Sequence, residues 1–352
     1  ADPDATAAML AVLKRYAQDI NQQTRNESER WDRGYSPESQ LPTVFREWVI
    51  DEWTLSGPRE TWEHHLETYY KNAPVFALVS GTGTGSWQPV SDVCERNKVA
   101  CLYPSTEMPY RDDRDFYTVY FSAGLLLEAR LIAAHLAERP VTKVVQVYCD
   151  PAYEPVVSQL RESIGDASTH NVSFDCERPV PIEHINEIAG ENSAVVLWVR
   201  AEQLEGAPDP IGADVIYVSS TLTDAWPPVG LADDDDLFMA HPYRLPGKVD
   251  PAARRFQAWA KSRGVEITAP RLQAEAYFAC LVLKDAVKHM GRFFIREFAL
   301  DKLDHSESLA AFVPMYEQPS FGPGQRFISK GGYVIPVAGG ELDTAGASYI
   351  LP

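Results

Sequence analysis

Two hydroxyl-rich segments carry the residue types best able to hold a polar small molecule: Ser80-Gly81-Thr82-Gly83-Thr84-Gly85-Ser86 and Pro104-Ser105-Thr106-Glu107. Each follows a short apolar run, Val75 to Val79 in the first case and Val99 to Tyr103 in the second. The first run lacks alternation, which predicts a strand buried on both faces of a parallel sheet. Two successive strands that end in polar turns define the sheet edge where backbone amides and helix N-termini collect and ligands sit. The hydroxyls of Ser80, Thr82, Thr84, Ser105 and Thr106, with the amides around Gly81, would there receive carboxylate or carbonyl oxygens. A dinucleotide phosphate loop is a competing reading, but Ser86 stands at its third glycine position and the segment is not in the chain's first βαβ unit. A tight turn that needs only glycine dihedrals is the plainest alternative.

Aromatic residues gather at comparable positions. Trp87, Tyr103, Tyr148, Tyr153, Trp198, Trp226 and Tyr243 fall at or near the C-terminal ends of predicted strands. Singly, each is better read as core. As a set they suit a cleft wall for a flat or ring-bearing body, with Trp87, Tyr103 and Trp226 covering it and Tyr153, Arg200, Ser220 and Tyr243 opposing the first hydroxyl group. Arg200 and Arg244, each just past a strand end, would pair with a ligand carboxylate, against the plainer reading of solvated arginines. Asp233 to Asp236 lack the spacing of a calcium loop and read as a solvated charge run. His64 and His65 are neighbours on a helix and point to different sides, so no metal is expected there. No Gly-x-Ser-x-Gly elbow and no His-Glu-x-x-His occurs, which leaves hydrolase chemistry without support.

To position such turns the chain needs alternating strands and helices. A helix is predicted over 3–22, with Met9, Leu10, Leu13, Tyr16 and Ile20 on one face. Residues 44–55 alternate loosely around Trp48, Ile50 and Trp53 and read as a strand. Pro58 opens a helix with acidic residues early, as helix starts prefer. Further helices are expected at 87–97, 123–136, 153–164, 182–189, 251–263 and 270–290. Strands are expected at 143–148, 172–174, 194–199, 214–219 and 237–240, with short β-like runs after 312. Regular alternation predicts an α/β chain with two parallel sheets.

Composition narrows the class. A chain of 352 residues with 45% apolar and 23% charged content has room for two cores, and no apolar run reaches the ~18 to 20 residues of a membrane span. The net charge of −18 argues against nucleic acid as a partner. Ala1-Asp2-Pro3-Asp4 has neither a basic n-region nor an apolar core and reads as a processed end. Of five cysteines, Cys94 and Cys101 flank one helix-to-strand turn, and Cys149 and Cys176 each close a predicted strand. Both pairs are therefore placed to meet, and an oxidising compartment is expected. Cys280 lies in an apolar helix and reads as a buried thiol. The absence of Cys-x-x-Cys excludes a zinc ribbon or an attached c-type haem in this chain, and no cofactor is expected.

The segments PVFALVSG, CERNKVACLYPST, FYTVYFSAGLLLEARLIAAHL and KVVQVYCD resemble the type I periplasmic ligand-binding proteins. The likeness is to the branched-chain amino-acid-binding proteins of ABC importers; it covers roughly residues 45–300 and is strongest at 74–150. It implies a two-lobed α/β fold, each lobe a mostly parallel sheet flanked by helices, with residues 1–121 and 245–310 in one lobe and 122–244 and 311–352 in the other. It also implies a non-catalytic periplasmic protein whose lobes close on a small organic ligand for a membrane permease or sensor. GPGQRFISKGGY is similar to a subset of these proteins that follows a c-type cytochrome module, which would place the fold's first strand upstream of Ala1. An α/β enzyme or nucleotide-binding protein using the same strand-end cleft is the alternative. A converging nucleophile and base would favour the enzyme; hydroxyls, amides and aromatics favour the binding protein.

Overall fold

Apolar periodicity at the N-terminus produces α1 (Pro3–Asp32), which buries Met9, Val12, Leu13, Tyr16 and Ile20. The computed structural model describes residues 2–32, 45–204, 210–223, 231, 236–290 and 293–352; Trp226 and Asp233 to Asp235 lie outside them. The predicted strand at 44–55 is not formed over its described part, 45–55. The Asn21 side chain satisfies the Trp48 backbone instead, its amide donating to Trp48 O at 2.9 Å and its oxygen accepting from Trp48 N–H at 2.7 Å. Trp53 stacks on Tyr69, ring centroids 5.5 Å apart. Alternating tryptophans here mark contacts to helices, not a ladder.

After a 3-10 turn at Arg59–Thr61, α2 (Trp62–Asn72) leads to β1 (Ala77–Val79), β2 (Thr82–Ser86), α3 (Gln88–Asn97), β3 (Ala100–Leu102), β4 (Ser105–Met108) and β5 (Thr118–Val119). A parallel three-stranded sheet has the order β1-β3-β5. β1 is an edge strand and is half-buried, so the burial on both faces expected of it is not found; the central strand β3 is the one buried at every residue. The two hydroxyl-rich segments are not plain turns. They form β2 and β4, which pair in parallel with Thr82 opposite Ser105 and Gly83 opposite Thr106. A disulfide joins Cys94 on α3 to Cys101 on β3, with Cα atoms 6.3 Å apart.

The chain then builds a second unit from α4 (Leu125–Leu136), β6 (Lys143–Tyr148), α5 (Glu154–Ser163), β7 (Ser168–Ser173), α6 (Ile182–Ile188), β8 (Ser193–Trp198), α7 (Ala201–Leu204), β9 (Val215–Ser219) and β10 (Leu237–His241). It returns to the first unit with α8 (Pro251–Arg263), α9 (Pro270–His289) and α10 (Arg296–Asp304), and β11 (Tyr333–Ala338) and β12 (Glu341–Leu342) complete the second. The second unit's sheet has the order β12-β11-β10-β9-β8-β6-β7, with β6 to β10 parallel and β11 and β12 added antiparallel. Strands β8, β9 and β10 are buried at every residue, which explains their continuous apolar runs. Val145, Val147, Val195, Leu197, Ile216, Val218 and Met239 form this core.

The chain divides into two compact units, residues 1–121 with 249–328 and residues 122–248 with 329–352. Residues 311–328, expected in the second lobe, fall in the first unit, and residues 245–248, expected in the first lobe, fall in the second. Asp250 explains part of this: it caps α8 through the amides of Ala252 and Ala253, and its other oxygen accepts Met315 N–H at 2.7 Å. Tyr316 stacks on Phe121, and Tyr120 exchanges backbone hydrogen bonds with Arg326 and Ile328. Gly264 closes α8 at φ +66, a conformation glycine adopts without strain.

Candidate functional site

The paired strands β2 and β4 present two different faces. Thr82 and Ser105, opposite each other in register, project to one side. Thr82 Oγ1 lies 3.2 Å from Thr6 Oγ1 on α1, and Ser105 bonds the Glu275 carboxyl on α9. Ser80, at φ +61, donates its hydroxyl to the Met9 sulfur at 3.2 Å. Thr84 is exposed, and its carbonyl accepts from Arg59 at 3.1 Å. Three of the five predicted hydroxyls, those of Ser80, Thr82 and Ser105, thus already have protein partners.

The other face belongs to Trp87. A Cβ on Gly81 would lie 3.3 Å from its ring and one on Gly83 only 2.7 Å away, while one on Gly85 would overlap the Arg59 guanidinium. The glycine run makes room for an indole and a guanidinium. Its Gly85 amide is taken by Glu107 at 3.2 Å, so the segment is not a bare phosphate cradle. Thr106, opposite Gly83 in register, shares the Trp87 face. Trp87 Nε1 and Thr106 Oγ1 are both buried without a hydrogen-bond partner. Such groups cost free energy until something bonds them, and here two of them, one on an indole and one on a hydroxyl, fall on the same strand-pair face, which suits a polar ligand.

Tyr103 departs from the expected cleft wall. Its ring is fully buried between Phe121 and Phe278, at centroid distances of 5.0 and 5.2 Å, and its phenol is pushed up by burial. It is core of the first unit. Nearby Glu275, which sequence reading missed, is 1% exposed. One of its oxygens accepts from Tyr316 at 3.4 Å, the other has no partner, and burial raises its carboxyl above the ordinary range.

In the second unit the strand order explains where function collects. β7-β6-β8-β9-β10 is the doubly wound order whose reversal lies between β6 and β8, and the crevice at those C-terminal ends is the usual ligand position. Tyr153 follows β6 and Arg200 follows β8. The structure joins them across this switch point, Arg200 donating to Tyr153 Oη at 3.4 Å. The Cys149–Cys176 disulfide closes the same edge, with Cα atoms 4.9 Å apart, and Gln203 holds both Cys149 Sγ and the Arg200 amide at 2.9 Å. Trp198 is core, donating its indole N–H to Gln146 at 3.0 Å. Tyr148 is buried at the end of β6.

Ser220 and Tyr243 converge on a residue not singled out by sequence, Glu128 on the first turn of α4. Glu128 is 0% exposed. One carboxylate oxygen accepts from the Thr221 amide at 3.0 Å, the Thr221 hydroxyl at 2.7 Å and the Ser220 hydroxyl at 3.4 Å. Thr221 Oγ1 in turn lies 3.4 Å from Tyr243 Oη. Burial lifts the Glu128 carboxyl to about 7, against the pull of these donors. The available signal was a single acidic residue inside LLLEARLIAAHL, a run otherwise suited to a core helix.

Among the described residues, no group of three or more His, Cys, Asp or Glu side chains is placed to hold a metal ion, and no helix is long and apolar enough to cross a membrane. No family model and no curated protein matches the chain. Solved structures do. LivJ of Streptococcus pneumoniae, the substrate-binding protein of a branched-chain amino acid transporter, determined with isoleucine, aligns at a TM-score of 0.63 and 12% identity over 99% of this chain and 95% of that one. The chain has the type I periplasmic-binding-protein fold. A branched-chain amino acid ABC transporter protein of Thermus thermophilus with bound valine gives 0.64 and 12% over 97% and 91%. The leucine-binding protein LivK of Thermotoga maritima gives 0.58 and 14% over 82% and 84%. Within this fold each unit is a mostly parallel sheet with helices against it, as the sequence pattern implies.

Proposed function

We propose that this protein is a non-catalytic periplasmic solute-binding protein that takes up a small organic ligand and presents it to an ABC permease or sensor in the membrane. The observation that carries the reading is the Tyr153–Arg200 pair at the switch point of the second unit, where a guanidinium and an aromatic ring stand at the strand-end edge. An arginine there suits a carboxylate, and a tyrosine suits the carbon body beside it. The first unit by itself offers Trp87 Nε1 and Thr106 Oγ1, both buried without a hydrogen-bond partner. These groups favour an amino-acid-like or aromatic carboxylate solute. The upstream cytochrome module has no support in the structural likenesses and is not part of the proposal.

A thermal-shift screen with leucine, isoleucine, valine, aromatic amino acids and aromatic acids tests the reading. A true solute at one hundred times its dissociation constant stabilises the fold by about 2.7 kcal/mol, a shift readily seen. If no carboxylate of this set raises the melting temperature, the solute class is wrong. The compartment is tested separately. Denatured, unreduced protein should show a single thiol, that of Cys280, since the other four cysteines are bridged.

A further inference from the structure

At the end of β9 one buried side chain gathers several strand-end groups. Ser219 ends β9, and the two residues that follow it, Ser220 and Thr221, hydrogen-bond Glu128. The same turn is braced locally by Ser219, whose hydroxyl accepts Leu222 N–H at 3.2 Å and whose carbonyl accepts the Thr223 hydroxyl at 2.9 Å. The Ser220 amide donates to Ala240 O on β10 at 3.1 Å and so ties the start of the turn to the next strand. The Thr221 amide and hydroxyl, by contrast, both go to Glu128.

We propose that Glu128 is a positioning residue for solute binding: its carboxylate fixes Ser220 and Thr221, and through Thr221 the Tyr243 hydroxyl, at the strand-end edge of the second unit. This rests on the solute-binding reading above and adds to it the residue that sets the geometry. Stability does not account for a glutamate here. A carboxylate with no exposed surface, one oxygen of which has no partner, is an expensive occupant of a helix whose neighbours are leucine, alanine and isoleucine. A leucine would be the cheaper choice for packing. What leucine lacks is an acceptor for the Thr221 amide and hydroxyl, both of which end on the same Glu128 oxygen. Beyond it, Tyr243 Oη lies 3.4 Å from Thr221 Oγ1.

Two variants separate this role from packing. Glu128→Gln keeps an acceptor oxygen at the same place, and Glu128→Leu keeps the apolar volume and removes the acceptor. The first readout is amide hydrogen exchange of the whole protein at one pH, which needs no ligand. The Thr221 amide should keep its protection in Glu128→Gln and exchange at least tenfold faster in Glu128→Leu, while amides of β6 and β8 stay unchanged in both. The second is calorimetric titration with L-leucine, expected to weaken at least tenfold in Glu128→Leu and less than threefold in Glu128→Gln. Unaltered Thr221 protection in Glu128→Leu overturns the proposal, as does unaltered leucine affinity in the presence of lost protection. If Glu128→Leu does not fold, Glu128→Ala replaces it with the same readouts, and an unaltered Thr221 amide there has the same force. Wild-type protein that ignores L-leucine counts against the solute class, and the exchange data then decide the role of Glu128 alone.

Discussion

Glu128 makes its strongest statement through pH. Burial lifts its carboxyl from the ordinary 4.5 to about 7, whereas in the unfolded chain it ionises near the ordinary value. Between those two points the folded chain holds a proton that the unfolded chain has released. The stability this group contributes is therefore complete below about 4.5 and is lost as pH rises through about 7, by on the order of 3 kcal/mol. His135 and His241 act in the opposite sense. Burial pushes both imidazoles down to about 4, so their contribution is present above the unfolded histidine range and is lost as pH falls. The difference between wild type and Glu128→Gln isolates the carboxyl from the imidazoles. Urea unfolding at pH 4.5, 6 and 8 should show the two proteins converging in acid, with the variant the more stable at pH 8. A variant that is less stable at pH 8 would contradict the burial argument.

At the scale of elements, the glycine run of β2 is where a plain sequence pattern concealed its reason. Ser80 to Ser86 looks like a ligand turn because glycines and hydroxyls alternate. In the structure the glycines give way to Trp87 and Arg59, and the hydroxyls of Ser80 and Thr82 go to α1. Gly83→Ala would place a methyl 2.7 Å from the indole. It should cost about 1 to 3 kcal/mol as an overpacked contact, read as a lower urea midpoint with an unchanged slope. An unmoved midpoint would mean that the ring swings aside freely. Strands β6, β8, β9 and β10 were legible because parallel strands covered on both faces write continuous apolar runs. Residues 45–55 were misleading because tryptophans that pack on helices can imitate strand alternation. Glu128 and Glu275 were illegible for a different reason: a single charge in an apolar helix does not announce its partners, and these lie 93 and 41 residues away in Thr221 and Tyr316.

For the whole molecule, the solute-binding reading offers candidate groups on each unit, and variants decide which of them the solute uses. Thr106 and Trp87 lie in the first unit, Arg200 and Tyr153 in the second. If the solute uses both, Thr106→Val and Arg200→Ala must each weaken it. Thr106 Oγ1 is buried without a protein partner, so its loss removes only what the solute receives, about 0.5 to 1.5 kcal/mol for a neutral contact. Arg200 would bond a charged carboxylate, worth about 1.5 to 3 kcal/mol, and also releases Tyr153 from its hydrogen bond. The double variant should lose more than either single one. Titration calorimetry of the two single variants and the double, with a solute identified by the thermal screen, gives all three values. A loss confined to Arg200→Ala would place the solute on the second unit alone and leave the Trp87 face of the first with a purely structural role.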